Sequence, residues 1–137
     1  MKTPVPLVKP PYAAPWLAPY WEGLRNHELR LPRCSVCSRW EWYPVADQPA
    51  CSGGHYIWEV MGDEATLFTF THVERPLLPD VMQPYWVGLV IFNKAPLCRI
   101  PSLLDPGQGI IRIGARLRLA FAGEGDKAFP YFKVVSK

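Results

Sequence analysis

Three cysteines and one histidine in the N-terminal half of the chain have the types and spacing of metal ligands. Cys34 and Cys37 form a C-x2-C pair, and Cys51 follows later. Two thiolates at this spacing can ligate one ion from a tight turn. A zinc ribbon needs a second pair, but position 54 is glycine and His55 stands one residue later. The pattern predicts a Cys3His zinc site of Cys34, Cys37, Cys51 and His55; the alternative is a degenerate ribbon that aromatic packing stabilises without metal.

The other residues that could carry chemistry do not form a catalytic set. His72 shares an alternating segment with Phe68 and Phe70, which is typical of a histidine on a strand face rather than of a general base. His27 follows a predicted helix and is interpreted as a solvated or helix-capping residue. Cys98 is interpreted as a small buried apolar residue of a strand. We therefore predict that the chain is not catalytic by itself.

Basic residues form a second candidate site. The net charge is +3, and the C-terminal segment 81–137 carries most of the positive excess. Residues 112–121 alternate with period two, which predicts that Ile113, Leu117, Leu119 and Phe121 face inward and that the arginines face outward. Guanidinium groups match phosphate geometry, although a solvated strand face is the alternative. The predicted ligands for a phosphate of coenzyme A, or for a nucleic-acid backbone, are Arg75, Arg112, Arg116 and Arg118.

The elements that must position these residues are mostly strands. Of the 137 residues, 49% are hydrophobic, which excludes disorder for most of the chain, and 16 prolines argue against a helical bundle. Residues 1–18 form a proline-rich arm, 19–31 a short helix, 32–58 a ribbon and 59–137 a barrel. Strands are predicted over Thr66–Glu74, Tyr85–Phe92, Leu97–Ile100, Arg112–Phe121 and Phe129–Val135. The strict alternation of the first strand places Leu67 and Phe70 on opposite faces.

Aromatic and apolar residues of the arm and helix predict a protein interface, because tryptophan and tyrosine are enriched among interface anchors. The predicted anchors are Tyr12, Trp16, Tyr20, Trp21 and Leu24. No apolar run is long enough to span a bilayer, and the first residues do not read as a signal peptide, so we expect a soluble cytoplasmic protein.

An ordered set of motifs resembles a known family, the zinc-ribbon plus OB-fold proteins called domain of unknown function 35. The resemblance runs from about Pro19 to the C-terminus. It rests on Tyr20-Trp21-Glu22-Gly23-Leu24, Arg33-Cys34-Ser35-Val36-Cys37, Leu67-Phe68-Thr69-Phe70-Thr71-His72-Val73, Pro84-Tyr85-Trp86-Val87-Gly88-Leu89-Val90 and Ile113-Gly114-Ala115-Arg116-Leu117. Gly54 and His55 depart from the fourth-cysteine pattern of that family.

The resemblance implies a mainly β fold with an N-terminal helix, a rubredoxin-like zinc ribbon and a five-stranded OB-fold barrel. It also implies an accessory subunit that pairs with a thiolase or thiolase-like aldolase acting on acyl-CoA and that helps to complete the CoA site. The rival function is single-stranded nucleic-acid binding, because OB barrels combine basic grooves with aromatic platforms. Acidic residues in 59–80 argue against that rival, since they would repel phosphates.

Overall fold

The computed structural model describes residues 14–51, 53–75 and 84–135, which form a mainly β chain with one short α-helix. A 3-10 turn at Pro15–Leu17 leads into α1 (Ala18–Arg25), and a second 3-10 turn at Gly125–Lys127 precedes the last strand. The strands are β1 (Arg30–Cys34), β2 (Tyr56–Val60), β3 (Glu64–Val73), β4 (Tyr85–Ile91), β5 (Ile100–Asp105), β6 (Arg116–Ala122) and β7 (Phe129–Val134). The predicted fold class is confirmed.

Helix α1 is shorter than the sequence pattern predicts. Pro19 lies in its first turn, where a missing backbone N–H costs nothing. At the other end the N–H groups of Asn26 and Glu28 both donate to the carbonyl of Gly23, and His27 adopts a positive φ of 55°. A residue in this left-handed conformation ends a helix, so the chain turns directly into β1.

Strands β1 and β2 form the two-stranded antiparallel sheet of the ribbon. Their register pairs Arg30 with Val60 at one end and Cys34 with Tyr56 at the other. Cys34 therefore lies beside Tyr56, the first residue of β2, and the loop that carries Cys51 ends there. This pairing brings the two halves of the predicted metal site together.

The remaining five strands close into a barrel in the order β3-β4-β5-β7-β6. All neighbours are antiparallel except β5 and β7, which run parallel, and β3 closes the barrel against β6. Counted within the barrel, the order is first, second, third, fifth and fourth, as in an OB fold.

One hydrophobic core continues from the helix through the ribbon into the barrel. Leu24 of α1 and Leu31 of β1 are buried in the same cluster as the barrel residues Leu67, Val90 and Phe132. The ribbon and barrel predicted as segments 32–58 and 59–137 therefore share their interior, and the helix lies against both. No helix among the described residues is long and apolar enough to cross a membrane.

A β-bulge changes the predicted facing of β3. The pairing between β3 and β4 shifts register between Leu67 and Thr69, which leaves Phe68 as the extra residue. One extra residue reverses the alternation of side chains beyond it. Consequently Leu67 and Phe70 both pack toward the core, and the prediction that they face opposite sides is wrong.

Two strands also begin later than predicted. Strand β6 starts at Arg116, because Ile113 and Gly114 form a turn in which Gly114 has a φ of 87°, a value that favours glycine. Ile113 is 70% exposed, so the prediction that it faces inward is wrong. Residues 97–100, predicted as a strand, are mostly loop, and β5 occupies 100–105 instead.

Candidate functional site

The three cysteines of the ribbon form one cluster. Their sulfur atoms all lie within 4.8 Å of one another. Cys34 ends β1, Cys37 lies in the following turn, and Cys51 lies in the loop before β2. The turn is tight because the N–H of Ser38 donates to the carbonyl of Cys34 at 2.9 Å, and the N–H of Val36 donates to Cys34 Sγ at 3.4 Å. Backbone N–H groups aimed at sulfur stabilise a thiolate, which is the form that binds metal.

The pKa values of Cys34 and Cys51 are shifted in opposite directions. The backbone N–H of Cys37 is the main reason that the pKa of Cys34 lies below its usual range, with a second N–H from Val36 acting in the same direction. Hydrogen bonds with Cys34 and Cys37 raise the pKa of Cys51 to about 11. Of these two thiols, Cys34 therefore gives up its proton more readily, and a metal cation bound by the cluster would displace the thiol protons.

His55, the predicted fourth ligand, does not join this cluster. Among the described residues, the metal-ligand atoms that lie together are those of the three cysteines. His55 is exposed, and its Nδ1 lies 3.1 Å from Ser35 Oγ. Its backbone N–H donates to the same hydroxyl, and its carbonyl accepts from the Ser35 N–H at 2.9 Å. These contacts hold His55 beside Ser35 instead of over the thiols.

The donor set suits zinc in type but provides three of the four ligands that zinc usually takes. Zinc prefers thiolate and imidazole ligands in a tetrahedral arrangement. Cys34, Cys37 and Cys51 could hold such an ion and would supply three thiolates to it.

The fourth cysteine has a different role. Cys98 is 5% exposed, and burial raises the pKa of its thiol to about 11. A thiol in this state is neutral at physiological pH and packs as a small apolar side chain. This is the interpretation that the sequence favours.

The predicted phosphate-binding arginines occupy three separate settings. Arg118 pairs with Asp63 at 3.2 Å, and Arg116 pairs with Glu64 at 3.2 Å, across β6 and β3. Arg112 and Arg116 line one open cavity of about 700 Å³, together with the apolar residues Ile110, Ala115, Val134 and Val135. Arg75 is exposed beyond the far end of β3. The structure therefore brings Arg112 and Arg116 together and leaves the other two apart.

The predicted interface anchors are largely committed to contacts within the chain. Tyr12 lies outside the described residues. Trp16 donates its indole N–H to the carbonyl of Pro44 at 3.2 Å. The ring of Tyr20 lies 4.8 Å from that of Trp42, and burial raises the pKa of Tyr20 to about 12.

The other two anchors face the core. Leu24 is 2% exposed, and Trp21 is half-buried against the same core. Leu24 therefore cannot contact a partner in this conformation, because a residue on the inner face of an amphipathic helix has no accessible surface left.

The histidines are stacked on aromatic rings. His72 lies 4.1 Å from Trp86 in a parallel arrangement, and its closest acidic neighbour, Glu74, is 3.9 Å away and exposed. His27 stacks on Phe121 at 5.0 Å, and its Nε2 lies 3.3 Å from the carbonyl oxygen of Gly123. Both arrangements are packing contacts on the barrel surface and agree with the interpretation from the sequence.

Sequence reasoning missed the exposed apolar side chains of the loops. Leu97 is 91% exposed and Tyr43 is 58% exposed, and both line an open cavity of about 480 Å³ where the ribbon meets the barrel. We call these two residues and this cavity the junction face. A signal was available, because Leu97 follows a proline in a segment with weak strand periodicity. Because both side chains border one cavity, they are a candidate contact surface, whereas a single exposed apolar side chain needs no such explanation.

The fold has known counterparts. The chain matches a chain of the "Ltp2-ChsH2(DUF35) aldolase" with a TM-score of 0.76 and 21% identity, over 91% of this chain and 98% of that one. The chain has the DUF35 fold. A DUF35 family protein of unknown function from Sulfolobus solfataricus matches with a TM-score of 0.65 and 18% identity, over 91% of this chain and 89% of that one. These likenesses support the family assignment that the motifs indicate.

Comparisons of sequence did not extend this result. A scan against protein-family models found no match, and neither did a search of curated proteins.

Proposed function

We propose that this chain is a non-catalytic accessory subunit of a thiolase-superfamily enzyme, a thiolase or thiolase-like aldolase that acts on an acyl-CoA substrate. The observation that carries this function is the likeness in fold, over nearly the full length of both chains, to a DUF35 chain of an aldolase. The stacked histidines and the buried Cys98 thiol agree with a subunit that leaves the chemistry to its partner.

The junction face is the surface that we assign to the partner enzyme. Leu97 and Tyr43 offer apolar contact area, and the same cavity is lined by one basic and one acidic residue, Arg39 and Glu41. A partner surface with an apolar centre and a polar rim would complement these side chains. The predicted anchors on α1 contribute to this function indirectly, because they position the ribbon against the barrel.

The cavity beside Arg112 is the surface that we assign to a phosphate of coenzyme A. Arg112 is exposed, and among the described residues it has no acidic partner within ion-pair distance, so its guanidinium is available to a phosphate. Arg116 could join it by exchanging its contact with exposed Glu64. Ile110 and Val134 would pack against the apolar part of the ligand. Arg75 and Arg118 are less suited, since Arg75 is remote and Arg118 is paired with Asp63.

The cysteine cluster is the site that we assign to one structural zinc ion. Zinc bound by Cys34, Cys37 and Cys51 would cross-link the end of β1 to the loop before β2. Its contribution would be to the folding of the ribbon, because structural zinc sites stabilise the folded state directly.

The deciding experiment is co-expression of the chain with the thiolase-like protein encoded nearest to it. We expect one complex by size-exclusion chromatography, with acyl-CoA turnover that falls when this chain is omitted. A partner that is fully active alone, and that does not associate with this chain, would contradict the proposed function.

One observation favours the rival function of single-stranded nucleic-acid binding. Arg99 lies 4.1 Å over the ring of Phe68, which is 39% exposed, and such a pair could stack a base. The carboxylates of Glu64 and Asp63 beside Arg116 and Arg118 argue against it, because they would repel the phosphates of a strand that lay there. Salt-dependent binding of a labelled single strand by the isolated chain would favour this rival.

A further inference from the structure

We propose that a zinc ion held by the three cysteines takes its fourth ligand from outside the chain: a solvent molecule that a small thiol can replace. This inference rests on the proposed zinc site and adds an exchangeable position to it.

The size of the cluster fits three bonds to one ion. A tetrahedral zinc ion with zinc–sulfur bonds of about 2.3 Å places its sulfurs about 3.8 Å apart. The three sulfurs of the cluster all lie within 4.8 Å of one another, a separation that three bonds to one ion can span.

The cluster is open on one side. Cys34 is fully buried, whereas Cys51 is partly exposed and Cys37 is exposed. The neighbouring Val36 is 62% exposed. The part of the cluster that carries Cys37 is therefore the part that a small molecule in solvent can reach.

His55 is held by other contacts. Its ring nitrogen, its N–H and its carbonyl are all engaged with Ser35. The two main-chain contacts fix the backbone of residue 55 beside Ser35, and the ring nitrogen is engaged with its hydroxyl. In this arrangement the imidazole supplies no ligand to the cluster, which leaves the fourth position to an external molecule.

Gly54 occupies the place in the sequence where a zinc ribbon has its fourth cysteine. A Cβ atom added at Gly54 would lie 2.7 Å from Cys34 Sγ, so this backbone position directly borders the cluster. Residue 54 therefore borders the cluster, but it supplies no ligand because glycine has no side chain. Zinc sites with three protein ligands keep a fourth position for water or substrate. A thiol that entered there would bind as thiolate, displace the solvent molecule and release its proton to the buffer.

The test uses the full chain loaded with Co²⁺, whose absorption reports its ligands. We expect one equivalent of Co²⁺ to give a sulfur-to-cobalt charge-transfer band that grows on addition of 2-mercaptoethanol. At saturation the intensity of the band should exceed its initial value by roughly one third, since four cobalt–sulfur bonds replace three. Ethanol, the matched additive without sulfur, should leave the band unchanged.

Three variants locate the exchangeable position. H55A should reproduce the response of the wild type, because His55 is not a ligand. G54C should show the larger band before any thiol is added, and G54A should not, although it demands the same steric adjustment from Cys34.

The possible failures are distinguishable. A chain that binds no Co²⁺ would overturn both the zinc site and its exchangeable position. A chain that binds Co²⁺ with a spectrum indifferent to 2-mercaptoethanol would overturn the exchangeable position alone. Loss of the wild-type spectrum in H55A would also overturn it, because His55 would then be the fourth ligand.

Discussion

At the scale of single residues, chemically identical side chains acquire different roles from their surroundings. Cys51 lies beside two other sulfurs, whereas Cys98 is surrounded by apolar groups of the core. The first arrangement gathers three possible metal ligands at one point, and the second leaves a single thiol that packs as an apolar group.

This difference predicts the effects of two matched substitutions. C51S should abolish stoichiometric zinc binding and lower the melting temperature, because one of the three thiolates is lost. C98S should keep its zinc and lose about 1–3 kcal/mol of stability, the usual cost of burying a poorly paired hydroxyl. Elemental analysis and thermal denaturation measure both quantities, and equal zinc contents in the two variants would contradict the assignment.

The arginines likewise differ in their partners and not in their chemistry. If Arg112 binds a CoA phosphate, R112A should raise the KM of the complex for acyl-CoA by about tenfold or more, the value of a charge-assisted hydrogen bond. R118A should change the KM by less than about twofold, since that side chain is engaged with Asp63 on the surface. Steady-state kinetics of the two complexes separates these outcomes. Equal effects would indicate a general electrostatic contribution.

At the scale of elements, charged and apolar contacts attach the ribbon and the helix to the barrel. Glu59 of β2 accepts a hydrogen bond from Arg33 of β1 and lies 3.5 Å from Lys94, which follows β4. It therefore joins both ribbon strands to a barrel loop. The hydrogen bond from Arg33 is the main reason that the pKa of Glu59 lies below its usual value.

This lowered pKa predicts how the stability of the ribbon depends on pH. A carboxyl group with a lower pKa in the folded state stabilises the protein above its unfolded pKa of about 4.3, and this stabilisation disappears as pH falls through the folded value. E59Q should therefore be less stable than the wild type at pH 7 but not near pH 2. Urea denaturation at several pH values measures the difference, and a gap that is independent of pH would exclude the ion pair as its source.

Helix α1 provides a second prediction at this scale. L24A should destabilise the chain by about 2–5 kcal/mol, because it removes most of a fully buried side chain from the continuous core. Denaturant unfolding measures this cost. E22A, a substitution on the exposed face of the same helix, is the control. An unchanged stability in L24A would mean that Leu24 is not packed in the core as described.

At the scale of the whole molecule, large apolar side chains remain exposed at several places after the core is complete. Two of them are Leu97 on the junction face and Ile113, which lies in the turn before β6 and is 70% exposed. Exposure does not distinguish them, and each adjoins a cavity with an arginine, because Arg112 and Gly114 on either side of Ile113 line the cavity that we assign to coenzyme A. The two assignments differ in the occupant: the partner enzyme at the junction face and the acyl-CoA beside Ile113.

This distinction predicts the outcome of two matched substitutions in the complex. L97D should abolish co-purification with the thiolase-like partner, because it places a charge in the apolar centre of the contact. I113D should leave co-purification unchanged. Both variants should keep the melting temperature of the isolated chain, since both sites are exposed. If I113D dissociates the complex and L97D does not, the partner contacts the barrel near β6 instead.

The sequence alone determined the features that depend on residues close together in the chain. The Cys34 and Cys37 turn, the helix beginning near Pro19 and the strand at residues 85–91 follow from local spacing, proline geometry and unbroken apolar runs. The ordered motifs added the barrel and the ribbon by resemblance. The turn, the start of the helix and the strand were confirmed because each is specified by neighbours within a few residues.

Only the tertiary structure decided which distant groups meet. The bulge at Phe68 depends on the partner strand, and the engagement of His55 by Ser35 depends on how β1 and β2 pair. Arg116 forms an ion pair with Glu64, and Leu24 is buried in the core, through contacts with residues far away in the sequence. Such contacts depend on the register and packing of the closed barrel, because a shift of one residue exchanges the two faces of a strand.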